Sequence, residues 1–447
     1  MNKQIYFVSL GCAKNLTDTE SMVALLQGAG HVLCHKIEEA DYIIINTCAF
    51  IQAAKEEAVE EILLAAEQKK ENPDVKIIVA GCLAQRYGEE LVEALAEVDG
   101  FVGTGQYMQI LNVMKQIEAG SPTCLTEGIN APIASHQRTI LTKKPVAYLK
   151  ISEGCSRNCT YCIIPQLRGD YRSRTLEDIV AEAKTLAKEG YRELVLVAQD
   201  VTLYGIDLYQ EKALAKLLHA LNEIDELLWI RLMYAYPEGI DDEIIDSIKT
   251  LDKVQKYIDM PLQHVNDKIL KEMGRHTTKQ QIEQLYTKLR DTVQGITLRT
   301  TFIVGFPGET EEEYREIVNF IEEYPFDKVG VFQYSREEGT PAAQMPHQVS
   351  AATKQRRQEM LMEKQQSISL ESNRAFIGKK LQVLVVEKLE ENIYLARSYR
   401  DAPDVDGGVM VISDEKLLLG QYYNCLITEA DTYDLIGEVC KEDEHSQ

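Results

Sequence analysis

The 447-residue chain is 45% hydrophobic and 27% charged, with 12 Pro and 26 Gly. This excludes wholesale disorder and, at roughly 150 residues per domain, predicts about three domains that each bury a core. Lys plus Arg number 48 against 71 Asp plus Glu, a net charge of −23. So acidic a chain is repelled by phosphate, which argues against direct nucleic-acid binding and for a basic protein partner.

In chain order, IYFVSL (5–10), DYIIINT (41–47) and VKIIVA (75–80) are short apolar runs, each followed by a helical pattern near 17–28, 52–69 and 84–95. Strand–helix alternation predicts a doubly wound parallel sheet over residues 1–120. In the second helix, Ala58, Val59, Ile62, Leu63 and Ala66 are expected on one buried face. Residues 121–140, with Pro122 and Pro132, have a linker's composition. Six further apolar runs begin at 146, 193, 229, 256, 297 and 327. Each leads into a loop and a helix-like segment, which predicts a partial or complete (β/α) barrel over 136–372. A polar helix at 350–374 leads to LQVLVVE (381–387), NIYLARSY (392–399), VMVIS (409–413) and NCLITEA (424–430). These short strands predict a small all-β barrel over 375–443.

No window approaches the ~18 continuous apolar residues of a membrane helix. The start, MNKQIYFVSL, lacks the charged-then-apolar order of a signal peptide. The expected location is therefore cytoplasmic, with no membrane partner. Ten cysteines are many for a reducing compartment and too sparse for a disulfide scaffold, leaving metal ligation, catalysis or burial.

Three of them, Cys155, Cys159 and Cys162, fall within eight residues of ISEGCSRNCTYCIIP. Three thiolates leave one iron of a cubane open. The loop follows the first barrel strand, at the end where such barrels carry their chemistry. Tyr161, between two of the thiols, is placed to pack against a cluster or cofactor. A zinc site is the competing reading, but zinc favours paired CxxC or His ligands, and no second pair is near. Cys12, Cys48 and Cys82 are spread through the chain, yet each follows an apolar strand and precedes a helix. A parallel sheet brings all three to its carboxyl edge, where ligands bind, and this predicts a second three-thiolate cluster. Cys34, Cys124, Cys425 and Cys440 share no motif and are expected to be ordinary residues. His264 in MPLQH and His276 in MGRHTT are expected to be polar loop residues rather than ligands.

The CxxxCxxC at the end of a first barrel strand resembles the radical S-adenosylmethionine (AdoMet) enzymes. That resemblance implies an open iron chelated by the amino and carboxylate groups of AdoMet, and one-electron cleavage to a 5′-deoxyadenosyl radical. TTFIVGFPGETEEE (300–313) resembles the family's adenosine-site strand, with Gly305 and Gly308 allowing close approach. Here the generic GxIxGxxE pattern is altered, with Thr301 for the first Gly and Glu309 one position late.

Two thiol triads followed by a terminal β-barrel resemble the radical AdoMet methylthiotransferases, over nearly the whole chain. The implied architecture is an N-terminal doubly wound sheet, a central radical-SAM barrel and a C-terminal TRAM barrel. The implied cofactors are AdoMet and two 4Fe–4S clusters, an auxiliary one on Cys12, Cys48 and Cys82 and a radical-generating one on Cys155, Cys159 and Cys162. SLGCAKNLTDTE (9–20) and RSYRDAPDVDG (397–407) resemble the branch that methylthiolates the β-carbon of an aspartate in small-subunit ribosomal protein S-twelve. A tRNA adenosine methylthiotransferase and a non-catalytic iron–sulfur carrier are the alternatives. The implied partners are S-twelve, a low-potential flavodoxin- or ferredoxin-like electron donor and a sulfur source. Residues 375–443 hold seven Lys plus Arg against fourteen Asp plus Glu, so Asp401, Asp404 and Asp406 are the expected contacts to a basic substrate.

Overall fold

The computed structural model describes residues 2–121, 123–133 and 138–440. Pro122, the expected barrel start at 136 and the expected chain-terminal boundary at 443 lie outside the described residues.

The first unit is a parallel sheet of β1 (Gln4–Ser9), β2 (Val32–Leu33), β3 (Tyr42–Thr47), β4 (Lys76–Gly81), β5 (Gly100–Val102) and β6 (Thr123–Leu125), in the order β2-β1-β3-β4-β5-β6. YIIINT is buried throughout, as a parallel strand covered on both faces must be. Helices α1 (Ala13–Gly28) and α4 (Ile110–Glu118) cover one face, and α2 (Gln52–Glu71) and α3 (Cys82–Ala94) cover the other. Strands β2, β5 and β6 are two or three residues long, too short for a periodic signal, and β6 lies in the stretch expected to be a linker. The buried face of α2 is narrower than its sequence pattern predicts. Ala58, Ile62, Ala65 and Ala66 are buried, whereas Val59 and Leu63, one step around the helix, are 37% and 52% exposed.

The central unit carries β7 (Val146–Lys150), an antiparallel pair β8 (Ser152–Glu153) and β9 (Arg172–Ser173), then β10 (Glu193–Val197), β11 (Trp229–Leu232), β12 (Tyr257–Asp259), β13 (Thr297–Val304) and β14 (Lys328–Gln333). Two parallel ladders, β7-β10-β11 and β12-β13-β14, follow one another in chain order, and a parallel bridge between Ile230 and Val254 joins them. Among the described residues no ladder closes β14 onto β7, so this is an open barrel of six βα units. Its helices are α5 (Ile164–Arg168), α6 (Leu176–Lys188), α7 (Ile206–Tyr209), α8 (Leu214–Asn222), α9 (Asp242–Thr250), α10 (Asp267–Glu272), α11 (Lys279–Thr292) and α12 (Glu311–Glu323). The long α13 (Ala351–Arg374) runs along β14. Gln358 Nε2 donates to the Val331 carbonyl at 2.7 Å, which helps to cover the exposed edge.

The terminal unit is a closed barrel of β15 (Lys380–Lys388), β16 (Ile393–Ser398), β17 (Val409–Ile412), β18 (Tyr422–Ala430) and β19 (Leu435–Val439), ordered β15-β16-β17-β19-β18. Four of these strands carry the expected apolar runs. The fifth, LIGEV, is interrupted by Gly437, which weakens its strand signal.

Alternation along the central strands separates two faces. Ala147, Leu149, Leu194, Leu196, Ile230 and Leu232 pack under the helices. Val146, Tyr148, Val195, Val197, Trp229 and Met233 face the lumen, where they meet Leu384 and Ala402 of the terminal barrel and Ala13 and Leu16 of α1. Each unit also keeps its own core, and this junction cluster is where all three meet.

RSYRDAPDVDG completes this junction, and its placement corrects the expectation of a free acidic surface for Asp401 and Asp406, while Asp404 stays exposed. Arg397 donates to Glu193 at 2.7 Å, and Arg231 bonds Glu193 and the Ser398 and Tyr399 carbonyls. Asp401 is 3% exposed and accepts from Lys328 and from Ser398. Asp404 accepts from the Tyr148 hydroxyl at 2.6 Å. Asp406 accepts from the Tyr257 hydroxyl at 2.7 Å and lies 3.4 Å from Arg299. A run of acidic residues looks alike whether it meets water or cations buried in another domain, and only the tertiary contact distinguishes the two. Among the described residues, no helix is long and apolar enough to cross a membrane.

Candidate metal centres

The order β2-β1-β3-β4 reverses direction at β1, and Cys12, Cys48 and Cys82 follow β1, β3 and β4. They therefore straddle the topological switch point, the expected ligand crevice of such a sheet. Cys12 is the N-cap of α1 and Cys82 the first residue of α3. Gly81 has φ +89°, and a Cβ there would lie 2.7 Å from the Thr47 carbonyl, so the turn that presents Cys82 needs glycine. Burial pushes the Cys12 thiol up, but Lys14, Arg168 and the backbone N–H groups of Asn15 and Lys14 more than offset it, leaving it below an ordinary thiol. Burial pushes Cys48 up to about 12, with Cys82 adding to the effect, and raises Cys82 against the opposing pull of Arg168.

The second triad lies in the loop after β7 and β8. The Arg157 backbone N–H donates to Cys155 Sγ and the Ile164 N–H to Cys162 Sγ, both at 3.5 Å. Cys159 Sγ lies 3.7 Å from the Tyr236 hydroxyl. Burial pushes Cys155 up to about 11 and Cys162 higher. Gly154, at φ +81°, precedes the loop, and a Cβ there would collide with the Asp170 carbonyl. Tyr161 joins a cluster with Phe306, Tyr334, Ile303 and Met345. Gly308 is open, whereas the close approach at Gly305 is to the Lys354 side chain. Glu309 accepts from the Gly305 N–H at 2.8 Å and pairs with Arg357, so its shifted position still closes this turn.

Helix α5 starts two residues after Cys162 and packs on α3, which Cys82 opens. From Cys162 to Arg168 the helical rise is roughly 9 Å. Arg168 bonds Asn15 and donates to Asp18 at 2.6 Å and to Glu153 at 3.1 Å, and Lys150 pairs with the same two carboxylates. Burial pushes Glu153 up, but Lys150 and Arg168 more than offset it and hold it well below the usual carboxylate range. This buried network ties the sheet carrying one triad to the loop carrying the other.

Two cations stand apart from it. Among the described residues, Lys14 and Arg275 are the buried lysine and arginine with no carboxylate within 4.0 Å. Arg275, 4% exposed, donates to the Pro261 carbonyl and stacks 4.1 Å over Tyr236, while its Nε and Nη1 have no partner. Sequence reasoning weighed its neighbour His276, which is exposed, and passed over the arginine turned inward. His264 is fully buried, and its Nδ1 accepts from the Asn266 N–H. No three His, Cys, Asp or Glu are grouped as ligands of a single metal ion among the described residues. All ten cysteines are free.

Residues 4–103 match the uncharacterized protein family UPF0004, 149–321 the radical SAM superfamily and 377–440 the TRAM domain. By fold, the chain resembles the radical S-adenosylmethionine methyltransferase TsrM of Kitasatospora setae, with a TM-score of 0.56 at 13% identity over 88% of this chain and 77% of that one. By sequence, it is 48% identical over 444 residues to ribosomal protein uS12 methylthiotransferase RimO of Caldanaerobacter subterraneus subsp. tengcongensis, covering 98% of this chain and 100% of that one. The RimO of Clostridioides difficile is 47% identical, covering 98% and 99%. Identity of this order along both chains leaves no unit unaccounted for: this chain belongs to the RimO family of ribosomal protein uS12 methylthiotransferases.

Proposed function

We propose that this chain attaches a methylthio group to the β-carbon of an aspartate in ribosomal protein uS12, in the cytoplasm, using AdoMet and two 4Fe–4S clusters. The observation that carries the reading is the pairing of two thiol triads in one relative of the uS12 enzymes that aligns along nearly all of their length. Cys155, Cys159 and Cys162 would hold the radical-generating cluster, and Cys12, Cys48 and Cys82 the auxiliary one. When bound, these groups supply reductive cleavage of AdoMet, hydrogen abstraction from an unactivated carbon and the sulfur that is transferred.

The residues fit that assignment. Lys14 and Arg168 ease the Cys12 thiol toward the thiolate, and backbone N–H groups on Cys155 and Cys162 oppose the burial that raises theirs. The orphaned nitrogens of Arg275 fit the carboxylate of AdoMet, and Tyr161 and Ile303 offer a wall for its apolar parts. Gly308 leaves room beside that wall, while Gly305 serves the turn. The terminal barrel and α1 close the lumen of the central barrel and exclude water from the chemistry. A low-potential donor of the flavodoxin or ferredoxin class and a sulfur source complete the requirements.

The test is mass spectrometry of uS12 from cells with and without this gene. A gain of about 46 Da, the replacement of H by SCH3, is expected only with the gene present. An unmodified uS12 beside a methylthiolated tRNA would transfer the assignment to the RNA-modifying alternative.

A further inference from the structure

Lys14 is a buried cation that acts on the Cys12 thiol and, among the described residues, has no carboxylate at ion-pair distance. It stands two residues beyond Cys12, in the first turn of α1, and is 8% exposed. Its ammonium lies 3.5 Å from the Ala198 carbonyl and 3.5 Å from the centroid of the Tyr234 ring. Ala198 follows β10 and Tyr234 follows β11, so the ammonium sits over the carboxyl-end mouth of the barrel, on the side of the Cys12 triad. Tyr234 holds φ +62°, and its N–H donates to Asp259 at 3.1 Å. A non-glycine residue kept there is a local strain, of the kind that collects at functional sites.

Among the described residues, no carboxylate pairs directly with this lysine, although the side chains of Tyr234, Cys12 and Glu153 favour its charge. Asp18 and Glu153 are taken by Lys150 and Arg168, Asp259 by Arg299, and Asp200 by Arg157. An ammonium has three donors, and one carbonyl and one ring face do not satisfy them. A desolvated ammonium with no carboxylate at ion-pair distance is costly to keep, so the site favours an incoming carboxylate.

We infer that Lys14 receives the side-chain carboxylate of the target aspartate of uS12. The inference rests on the proposed function. The carboxylate carbon is bonded directly to the acceptor β-carbon, so an anchor there fixes the reacting carbon beside the triad that presents the sulfur. Arg275, beside the other triad, is left for the carboxylate of AdoMet. Lys14 acts as a positioning residue and as the selector of aspartate over neutral side chains.

The test is a binding cycle with reconstituted full-length enzyme and two proteins, uS12 and uS12 with its target aspartate replaced by asparagine. Wild type is expected to bind the aspartate form about tenfold more tightly, the order of a charge-assisted bond. Lys14→Met is expected to bind both forms equally, at the weaker level. Lys14→Gln gives the same comparison should the methionine variant fail to fold, and Lys14→Arg is expected to keep the preference. A Met or Gln variant that prefers aspartate as strongly as wild type overturns the assignment, as does a wild type with no preference. A wild type that neither binds nor modifies uS12 overturns the functional reading itself, and so separates the two failures.

Discussion

The two thiol triads converge by opposite routes. Cys155, Cys159 and Cys162 share one loop, so their spacing is written into eight residues of sequence. Cys12, Cys48 and Cys82 are brought together by the order of three strands, and their spacing exists only once the sheet has formed. The first site depends on local backbone geometry and the second on the register of a whole domain. Arg168 of α5 ties the two together by bonding Asn15 and Asp18 of α1.

The sharpest break in this symmetry is removal of the thiols. Cys155, Cys159 and Cys162 changed to Ala should remove about four of roughly eight iron atoms per chain and all deoxyadenosine formation. The corresponding change at Cys12, Cys48 and Cys82 should remove a similar amount of iron, spare AdoMet cleavage and abolish methylthio transfer. Iron analysis and product chromatography read both. A first variant that still forms deoxyadenosine would reverse the assignment of roles.

Next in size is the junction that holds both sites in one body. Changing Asp401, Asp404 and Asp406 together to Lys sets new cations against Lys328 and Arg299. Breaking buried pairs of this kind costs about 3–5 kcal/mol. Denaturant unfolding should show that loss in the free protein, with no substrate present. A triple variant as stable as wild type, but weakened for uS12 at low salt, would restore the reading of these residues as surface contacts.

Single glycines probe the two routes separately. Gly81→Ala and Gly154→Ala should each cost ~1–3 kcal/mol through left-handed backbone strain. Each should lower iron at its own triad more than at the other. Equal loss at both triads in both variants would mean that the sites form as one unit.

The smallest effect near neutrality is that of pH on the same junction. Burial pushes Glu193 and Asp401 up, but Arg397 and Arg231 for the first, and Lys328 and Arg400 for the second, more than offset it. Both carboxyls therefore titrate lower in the folded state than in the unfolded chain. Their contribution is complete above the unfolded values of about 4 and disappears as pH falls through the folded ones. Hydrogen exchange in β15 and β16 should be flat from pH 8 to 5 after correction for intrinsic rate, and should rise in acid. Loosening on the alkaline side would contradict the sign.

Much of this was readable from residues alone, for identifiable reasons. Runs such as YIIINT and TLRTTFIV carry their strand character in β-branched side chains, and a cysteine at the end of each of three such runs marks one edge of a parallel sheet. The resemblance then supplied cofactors and substrate. What stayed hidden depends on contacts with no period. Asp404 meets Tyr148 from 256 residues away, and nothing in RDAPDVDG distinguishes a free surface turn from one that bonds to another domain. Helix α1 is buried although Asn15, Asp18 and Glu20 are polar, because it lies between two domains rather than on one. SLGCAKN exposed its cysteine to inspection, while the isolation of Lys14 is a statement about every carboxylate around it.

The shared junction also bears on the order in which the chain is made. Strands β7 to β14 leave the ribosome before residues 397–406 exist, and domains generally fold amino end first. Until the terminal segment emerges, Lys328 lacks Asp401, Glu193 lacks Arg397, and the lumen stands open beneath the loop that carries Cys155, Cys159 and Cys162. A half-synthesised copy therefore has both thiol triads but not the junction that residues 397–406 provide, and that junction closes the lumen only once they are made.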